Sequence, residues 1–187
     1  MEPSGPKERL LEAVVGHLYE HGVGETSLRG LAAAIGGSHR MLNYHFGSRR
    51  GLLIAVSRAV ERQQRDAFIA MLADPDASPI YVMWRMYGRL TDPGLHPPER
   101  LFFELYAHAL REEADTEGFF PEVVEAWIAP LSELFRRLGF QGSDAHDEAR
   151  LALAASRGML LDLLATKDRA AVDAAMACFV RRYEQRA

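Results

Sequence analysis

One stretch of the chain, TSLRGLAAAIGGSHRMLNYHF at residues 26–46, decides the fold. The apolar residues of its first half recur at the helical period: Leu28, Leu31, Ala32 and Ile35. They predict a short helix with one buried face. Gly36-Gly37 ends that helix in a tight turn, and Ser38 is a candidate N-cap for a second short helix. Two short helices joined by such a turn have the size of a helix-turn-helix, whose second helix can enter the major groove of DNA.

The second of these helices has two chemically different faces. Leu42 and Phe46, four residues apart, can anchor it to the neighbouring helices. The polar residues then point away from the anchor: His39, Arg40, Asn43 and Tyr44. Arginine can bond guanine bidentately, asparagine can bond adenine, and histidine or tyrosine can bond phosphates or bases. The pattern predicts a helix that reads DNA.

The distribution of charge supports this interpretation although the net charge of the chain is −4. Residues 1–65 carry nine Lys/Arg and six Asp/Glu, a balance of +3, whereas the remainder is at −7. Between Thr26 and Val60 there are five arginines and no acid. Arg49 and Arg50 begin the next predicted helix, where the helix dipole favours acids. A neighbouring phosphate would supply the missing negative charge, so we expect this surface to face a nucleic acid.

The rest of the chain also repeats apolar residues at the helical period. A first helix is predicted at about 7–21, and a long fourth helix follows the candidate cap Ser48 and runs to about Leu72. Asp74 to Pro79 breaks the pattern. Five more helices are predicted at about 79–91, 98–113, 121–138, 144–165 and 168–185. The predicted fold class is all-α with about nine helices. An N-terminal three-helix domain at 1–50 is connected by helix four, about 48–72, to a C-terminal ligand-binding and dimerisation domain at 51–187.

The order of these features resembles the signature of the TetR family of bacterial transcriptional regulators. The resemblance rests on the stretch 26–38, on Met41-Leu42-Asn43-Tyr44-His45-Phe46, and on Arg49 followed by Leu52-Leu53. It covers about residues 8–55, and beyond residue 75 it is architectural only. It implies a homodimeric, ligand-responsive regulator of transcription, most often a repressor, that binds a palindromic operator and is released by a small effector. It implies no enzyme and no cofactor.

The resemblance also implies which side chains meet the operator. Ser27 and Arg29 occupy the phosphate-contacting start of the second helix, and Arg49 matches the basic residue that contacts the DNA backbone. Recognition-helix positions are held by six residues: Ser38, His39, Arg40, Asn43, Tyr44 and His45. With Arg50 these complete the predicted DNA-binding set. The sequence departs from the family at Asn43, where tyrosine is usual, and at Gly37, where valine is common.

The second domain is predicted to hold the effector. Its aromatic and soft residues suit an apolar or aromatic small molecule, which a few polar groups would orient. The expected ligand-binding residues are Met83, Trp84, Tyr87, Phe103, Tyr106, His108 and Trp127. Taken singly, each of these residues also suits an ordinary core position, and a cation over the tryptophan and tyrosine faces is an alternative ligand.

Helices eight and nine are the predicted homodimer surface, which in this family forms a four-helix bundle. Small residues would allow close helix approach: Ala152, Ala154, Ala155, Ser156 and Gly158. Apolar area would come from Leu151, Met159, Leu163, Val172, Met176 and Phe179. An intrachain helical pair is the alternative interpretation.

Two other readings of the chain remain open from the sequence. His17-Leu18-Tyr19-Glu20-His21 matches the H-x-x-E-H pattern of inverted zinc peptidases, which would make the chain a helical metal-dependent enzyme using His17 and His21. The sequence indicates no third ligand, so we expect no metal site. The other alternative is a helical interaction module without DNA binding.

Composition bounds the class of protein. Hydrophobic residues make up 48% and charged residues 26% of 187 residues, which is typical of a globular chain with a sizeable core. No apolar run is long enough for a membrane span, and Met1 to Leu10 lacks the apolar core of a signal peptide. Cys178 is the only cysteine, which excludes an intrachain disulfide framework. We therefore expect a cytoplasmic protein, associated with the nucleoid when bound to DNA and with no membrane partner.

Overall fold

A computed structural model describes residues 5–22, 27–110 and 119–186. Within these ranges the chain forms nine α-helices and no β-strand. The helices are α1 (Pro6–His21), α2 (Leu28–Ala34), α3 (His39–Phe46), α4 (Arg49–Leu72), α5 (Pro79–Leu90), α6 (His96–Leu110), α7 (Phe119–Arg137), α8 (Gly142–Thr166) and α9 (Arg169–Arg181). The predicted all-α class is confirmed. None of the described helices is long and apolar enough to span a membrane.

Serine caps set the starts of the short N-terminal helices. The Oγ atom of Ser27 accepts a hydrogen bond from the Gly30 N–H at 3.1 Å, and that of Ser38 accepts one from the Met41 N–H at 3.1 Å. Ser48 does the same for α4, accepting from the Gly51 N–H at 3.0 Å. Each cap satisfies a backbone donor that the helix itself leaves unpaired. The two predicted caps, Ser38 and Ser48, are confirmed.

The helices pack into two compact units, of which the first comprises residues 1–62 and 94–120. Its core is made of aliphatic side chains from α1 to α4 and α6. The fully or almost fully buried members are Val14, Leu18, Leu31, Leu42, Leu52, Val56 and Leu101. An aromatic cluster adds Phe102, Tyr106 and Phe120, with Tyr106 and Phe120 ring centroids 4.4 Å apart. Helix α6 therefore belongs by packing to the same unit as the helix-turn-helix, although its residues lie in the predicted C-terminal domain.

The second unit comprises residues 63–93 and 121–187. Phe68 of α4 and Trp127 of α7 are both buried and lie 5.9 Å apart by ring centroids. Helix α9 begins at the N-cap Asp168, whose carboxylate accepts from the Ala171 N–H at 3.0 Å. A second aromatic cluster surrounds the buried Tyr183, whose hydroxyl donates to Glu148 of α8 at 2.6 Å. These contacts hold the C-terminal helices as one packed body.

A polar cluster links α5 to α9 inside the second unit. The Tyr87 hydroxyl donates to the Asp173 carboxylate at 2.5 Å, and Arg169 Nε donates to the same oxygen at 2.7 Å. Arg169 also reaches the Thr91 carbonyl at 3.3 Å. Burial and the bond to Asp173 raise the pKa of Tyr87 to about 12. The hydrogen bonds from Tyr87 and Arg169 lower the pKa of Asp173. The cluster therefore has a structural role, because its hydrogen bonds connect α5 to α9.

Candidate nucleic-acid interface

Helix α3 separates an anchoring face from an exposed polar face. Leu42 is completely buried, and Phe46 is half-buried beneath Lys7, whose Nζ lies 5.8 Å from the ring centroid. The opposite face is exposed: His39, Arg40, Met41, Asn43 and Tyr44. Tyr44 is 83% exposed, an unusual state for a large aromatic side chain in the absence of a partner. The helix therefore presents hydrogen-bonding side chains outward.

Glycines with positive φ place α3 against α2. Gly36 adopts φ +65° between the two helices, and Gly47 adopts φ +72° after α3. Other residues rarely adopt these values, so the turns depend on glycine. The Gly37 N–H donates to the Ala32 carbonyl at 2.8 Å, which closes the turn. Helices α2 and α3 also pack directly against each other. This packing and the turns before and after α3 together fix the orientation of its exposed face.

The junction between α3 and α4 depends on a residue that the sequence reasoning missed. A Cβ atom at Gly51 would lie 2.2 Å from the Phe46 backbone oxygen, far inside van der Waals contact. The end of α3 and the first turn of α4 can approach this closely only because residue 51 has no side chain. The available signal was a glycine in the first turn of a predicted helix, where glycine is a poor helix former.

The remaining predicted DNA-binding residues lie on the same unit with different exposure. Ser27, Arg29 and Ser38 are exposed, and the two serine hydroxyls act as caps in this structure. His45, Arg49 and Arg50 are half-buried. The His45 ring lies edge-on to Tyr44, with centroids 5.0 Å apart, and both arginines have contacts within the chain. All ten predicted residues thus belong to one compact unit, and their contacts with DNA stay a prediction.

The histidine pair lies on the last two turns of α1. The His17 and His21 rings stack with centroids 4.4 Å apart, and His21 Nδ1 lies 3.1 Å from the His17 carbonyl oxygen. In the part of the chain that the structure describes, His, Cys, Asp and Glu side chains form no group of three or more suited to a metal ion. The geometry gives the zinc hypothesis no supporting ligand set.

The structure distributes the predicted ligand-binding residues over both units. Met83, Tyr87 and Trp127 are buried in the second unit, where Trp127 packs on Phe68 and Tyr87 bonds Asp173. Phe103 and Tyr106 are half-buried in the first unit, in contact with Phe102. The side chain of His108 lies outside the described residues. Among the six whose side chains are described, Trp84 alone lines an open groove, which is formed by α4 and α5.

Helices α8 and α9 present a second exposed face, which is apolar and small. On α8 the exposed residues recur at spacings of three and four: Leu151, Ala154, Gly158, Leu161 and Ala165. On α9 they are Ala171, Ala174, Ala175 and Cys178. Several residues predicted to form the dimer surface are instead buried within the unit: Ala152, Leu163, Val172 and Met176. Those positions pack α8 and α9 against their own neighbours, and the sequence analysis missed Leu161 and Ala165.

Comparisons with known proteins agree with this geometry. Residues 7–56 match the model of a family described as bacterial regulatory proteins, tetR family. A TetR transcriptional regulator from Legionella pneumophila superposes with a TM-score of 0.71 at 16% identity, over 97% of this chain and 98% of that one. A transcriptional regulator from Rhodococcus sp. Rha1 has a TM-score of 0.70 at 19% identity, covering 97% of both chains. The multidrug binding protein EbrR, complexed with imidazole, has a TM-score of 0.65 at 23% identity, over 95% of this chain and 90% of its own.

No curated protein matches the chain significantly. The family model confirms the resemblance to the TetR family over residues 7–56, and the solved structures show that almost the whole chain shares their fold.

Proposed function

We propose that this chain, with the N-terminal domain and fold of the TetR family, is a homodimeric repressor that binds a palindromic operator and is released by a small aromatic effector. One observation carries the proposal: α3 is anchored by the buried Leu42 and exposes His39, Arg40 and Asn43 on its other side. A short, rigidly held helix with this exposed chemistry suits a major groove. Such a protein works in the cytoplasm, where bacterial DNA lies.

Each exposed side chain of α3 has a distinct role in the proposal. Arg40 bonds guanine and Asn43, the only asparagine of the chain, bonds adenine through its amide. Tyr44, His45 and the arginines at the start of α4 contact phosphates and fix the register of α3 in the groove. The absence of acids between Ser27 and Val60 keeps the whole surface compatible with the polyanion.

The exposed face of α8 and α9 supports the homodimer. Leu151 is 40% exposed and Leu161 is 49% exposed, and the residues between them on this face are the small Ala154 and Gly158. A second copy of the same face would bury the leucines and let the helices approach closely at the small residues. Gly158 favours this arrangement, because a Cβ atom there would meet nothing within 4 Å in its own chain.

Dimerisation gives the proposed regulator its specificity and its control. Two α3 helices related by a two-fold axis read half-sites about 34–36 Å apart, or a multiple of that spacing. An effector that prefers protomer positions with another spacing weakens operator binding by its differential affinity, typically about 1–3 kcal/mol.

Quantitative binding of α3 variants tests the proposal. Arg40→Ala and Asn43→Ala are compared with wild type by fluorescence anisotropy on a duplex selected from a random pool. Each is expected to weaken binding about tenfold or more and to relax the preference at one base pair of each half-site. Arg100→Ala, which removes an exposed arginine of α6, is the matched control and should bind as wild type. Wild-type affinity in both α3 variants would refute the assignment of base readout.

A further inference from the structure

An open groove in the second unit has the chemistry of a ligand site. Residues of α5 line it at helical spacing, with Tyr81, Trp84, Arg85 and Gly88 on one side of the helix. Met71 of α4 adds an apolar wall. The groove has a volume of about 480 Å³, which is large enough for a small aromatic molecule.

The aromatic side chains of the groove are exposed although α5 has a buried face available. Val82, Met83 and Met86 occupy that buried face. Tyr81 is 50% exposed and Trp84 is 38% exposed on the other side. Trp84 is held in place by an edge-on contact with Tyr87, at 5.9 Å between centroids. A fixed, partly exposed indole offers a flat apolar surface to a planar ring.

Two guanidinium groups of the groove are oriented by neighbours and keep free donors. Arg85 Nη1 donates to the Tyr81 hydroxyl at 2.7 Å, and Arg89 Nε donates to the amide oxygen of the buried Gln64 at 2.6 Å. Among the described residues, the terminal nitrogens of Arg89 have no hydrogen-bond partner. Asp92 is the single acid of the lining, so the groove has a net positive charge. Oriented guanidinium groups with free N–H donors match a carboxylate.

Gly88 keeps the centre of the groove open. It lies in the middle of α5, where glycine weakens a helix relative to alanine. A Cβ atom there would meet nothing within 4 Å, so no contact in the chain requires a glycine at this position. The open space above residue 88 is the groove itself, between Trp84 and Arg85 on one side and Asp92 on the other.

We propose that this groove binds a small planar aromatic carboxylate, with its ring on Trp84 and its carboxylate at Arg85 and Arg89. The ligand acts as the effector of the proposed regulator, and only this role rests on the proposed function. A cationic ligand would face two arginines, and a purely apolar one would cover their donors without replacing their hydrogen bonds to water.

Calorimetric titration of the full chain in the absence of DNA tests binding directly. The probe is 2-naphthoate, and the neutral 2-naphthamide has almost the same shape without the charge. Naphthoate is expected to bind, and naphthamide should bind about tenfold more weakly, or more weakly still. Arg89→Gln should also weaken naphthoate binding about tenfold. Gly88→Leu fills the groove with a good helix former and should abolish binding.

Gly16→Leu is the matched control, because Gly16 is an exposed mid-helix glycine of α1 and a Cβ atom there also meets nothing within 4 Å. It should bind naphthoate as wild type does. Failure of wild type to bind naphthoate, equal binding of naphthamide, or unchanged binding by Gly88→Leu would overturn the site.

Operator affinity measured with and without naphthoate separates the two proposals. A drop in affinity supports the effector role, and an unchanged affinity overturns that role. Absence of specific DNA binding by the ligand-free protein would overturn the proposed function. The calorimetric affinities of the groove for its ligands would still stand.

Discussion

Two exposed faces of the molecule differ in chemistry: the outer face of α3 and the face shared by α8 and α9. The α3 face carries histidine, arginine, asparagine and tyrosine, and it lies in a stretch without acids. The α8–α9 face carries leucines separated by alanine and glycine. Water solvates the first face well and the second poorly. The first therefore suits a hydrated polyanion and the second a copy of itself.

The comparison teaches that exposure alone does not identify a partner. Tyr44 and Leu161 are both large and exposed, yet the chemistry of their neighbours favours different proposed partners. The neighbours of Tyr44 can donate hydrogen bonds to phosphate. The neighbours of Leu161 are small and let another helix approach closely. The predictions below alter one face and leave the other unchanged.

The largest effect is expected when the apolar face receives charge. Leu151→Glu combined with Leu161→Glu would place four carboxylates near the two-fold axis of the proposed dimer. The dimer dissociation constant should rise about a thousandfold or more. Sedimentation velocity measures it, and circular dichroism verifies the helical fold. Ile69→Glu, which changes an exposed apolar residue of α4 instead, should leave the dimer intact. A dimeric double variant would contradict the assignment of this face.

Removal of the anchor beneath the polar face comes next. Leu42 is completely buried, so Leu42→Ala should lower the free energy of unfolding by about 3 kcal/mol. Operator binding should be lost because α3 is no longer held, while sedimentation still shows the dimer. Urea unfolding provides the free energy. Retention of operator affinity would mean that Leu42 does not position α3.

A methyl group at the α3–α4 junction should be costly. Gly51→Ala places a Cβ atom against the Phe46 carbonyl, so α4 must shift and the free energy of unfolding should fall by about 2 kcal/mol. Operator affinity should decrease with it, since the shift moves Arg49 and Arg50 relative to α3. Thermal and urea unfolding measure the change. An unchanged free energy of unfolding in Gly51→Ala would show that the junction accepts a Cβ atom without the shift expected here.

The second unit should respond to alkaline pH through Tyr87. Its pKa is raised to about 12 when folded, above its ordinary value of 10. The stabilisation from the protonated phenol is therefore complete below pH 10 and is lost as the pH rises towards 12. Tyr87→Phe should cost about 1 kcal/mol at neutral pH and reduce the alkaline fall. Urea unfolding between pH 8 and 12 tests this, and an identical pH profile in the variant would contradict it.

The smallest expected effect is a gain in stability. A Cβ atom at Gly37 would lie 3.4 Å from Ile35 Cγ1 and 3.6 Å from Leu10 Cδ2, at ordinary contact distances. Gly37→Ala should therefore stabilise the first unit by about 0.5 kcal/mol, because the unfolded chain loses freedom. The same substitution has opposite signs at residues 37 and 51. Equal effects at both positions would contradict the described turn geometry.

Local signals allowed much of the fold to be predicted from the sequence. Apolar periodicity and serine caps depend on neighbours a few residues away, so Ser38 and Ser48 mark the helix starts correctly. The exposed side of α3 follows from Leu42 in the same way. The family model then confirmed the resemblance that these residues carry.

Features that depend on packing between distant segments could not be predicted. Trp127 packs on Phe68, and the Tyr87 hydroxyl donates a hydrogen bond to Asp173, which is 86 residues away in the sequence. Ala152 and Gly158 have similar sequence signals, but only the structure shows that Ala152 is buried and Gly158 exposed. Sequence periodicity finds a helix face without showing which other helix covers it.

Selection of bound duplexes from a random pool, using the full chain, tests the central claim that two α3 helices read DNA together. The account predicts enrichment of a palindrome whose half-site centres lie about one helical turn apart, 34–36 Å, or a multiple of it. Recovery of no preferred sequence, or of a single half-site without symmetry, would contradict it.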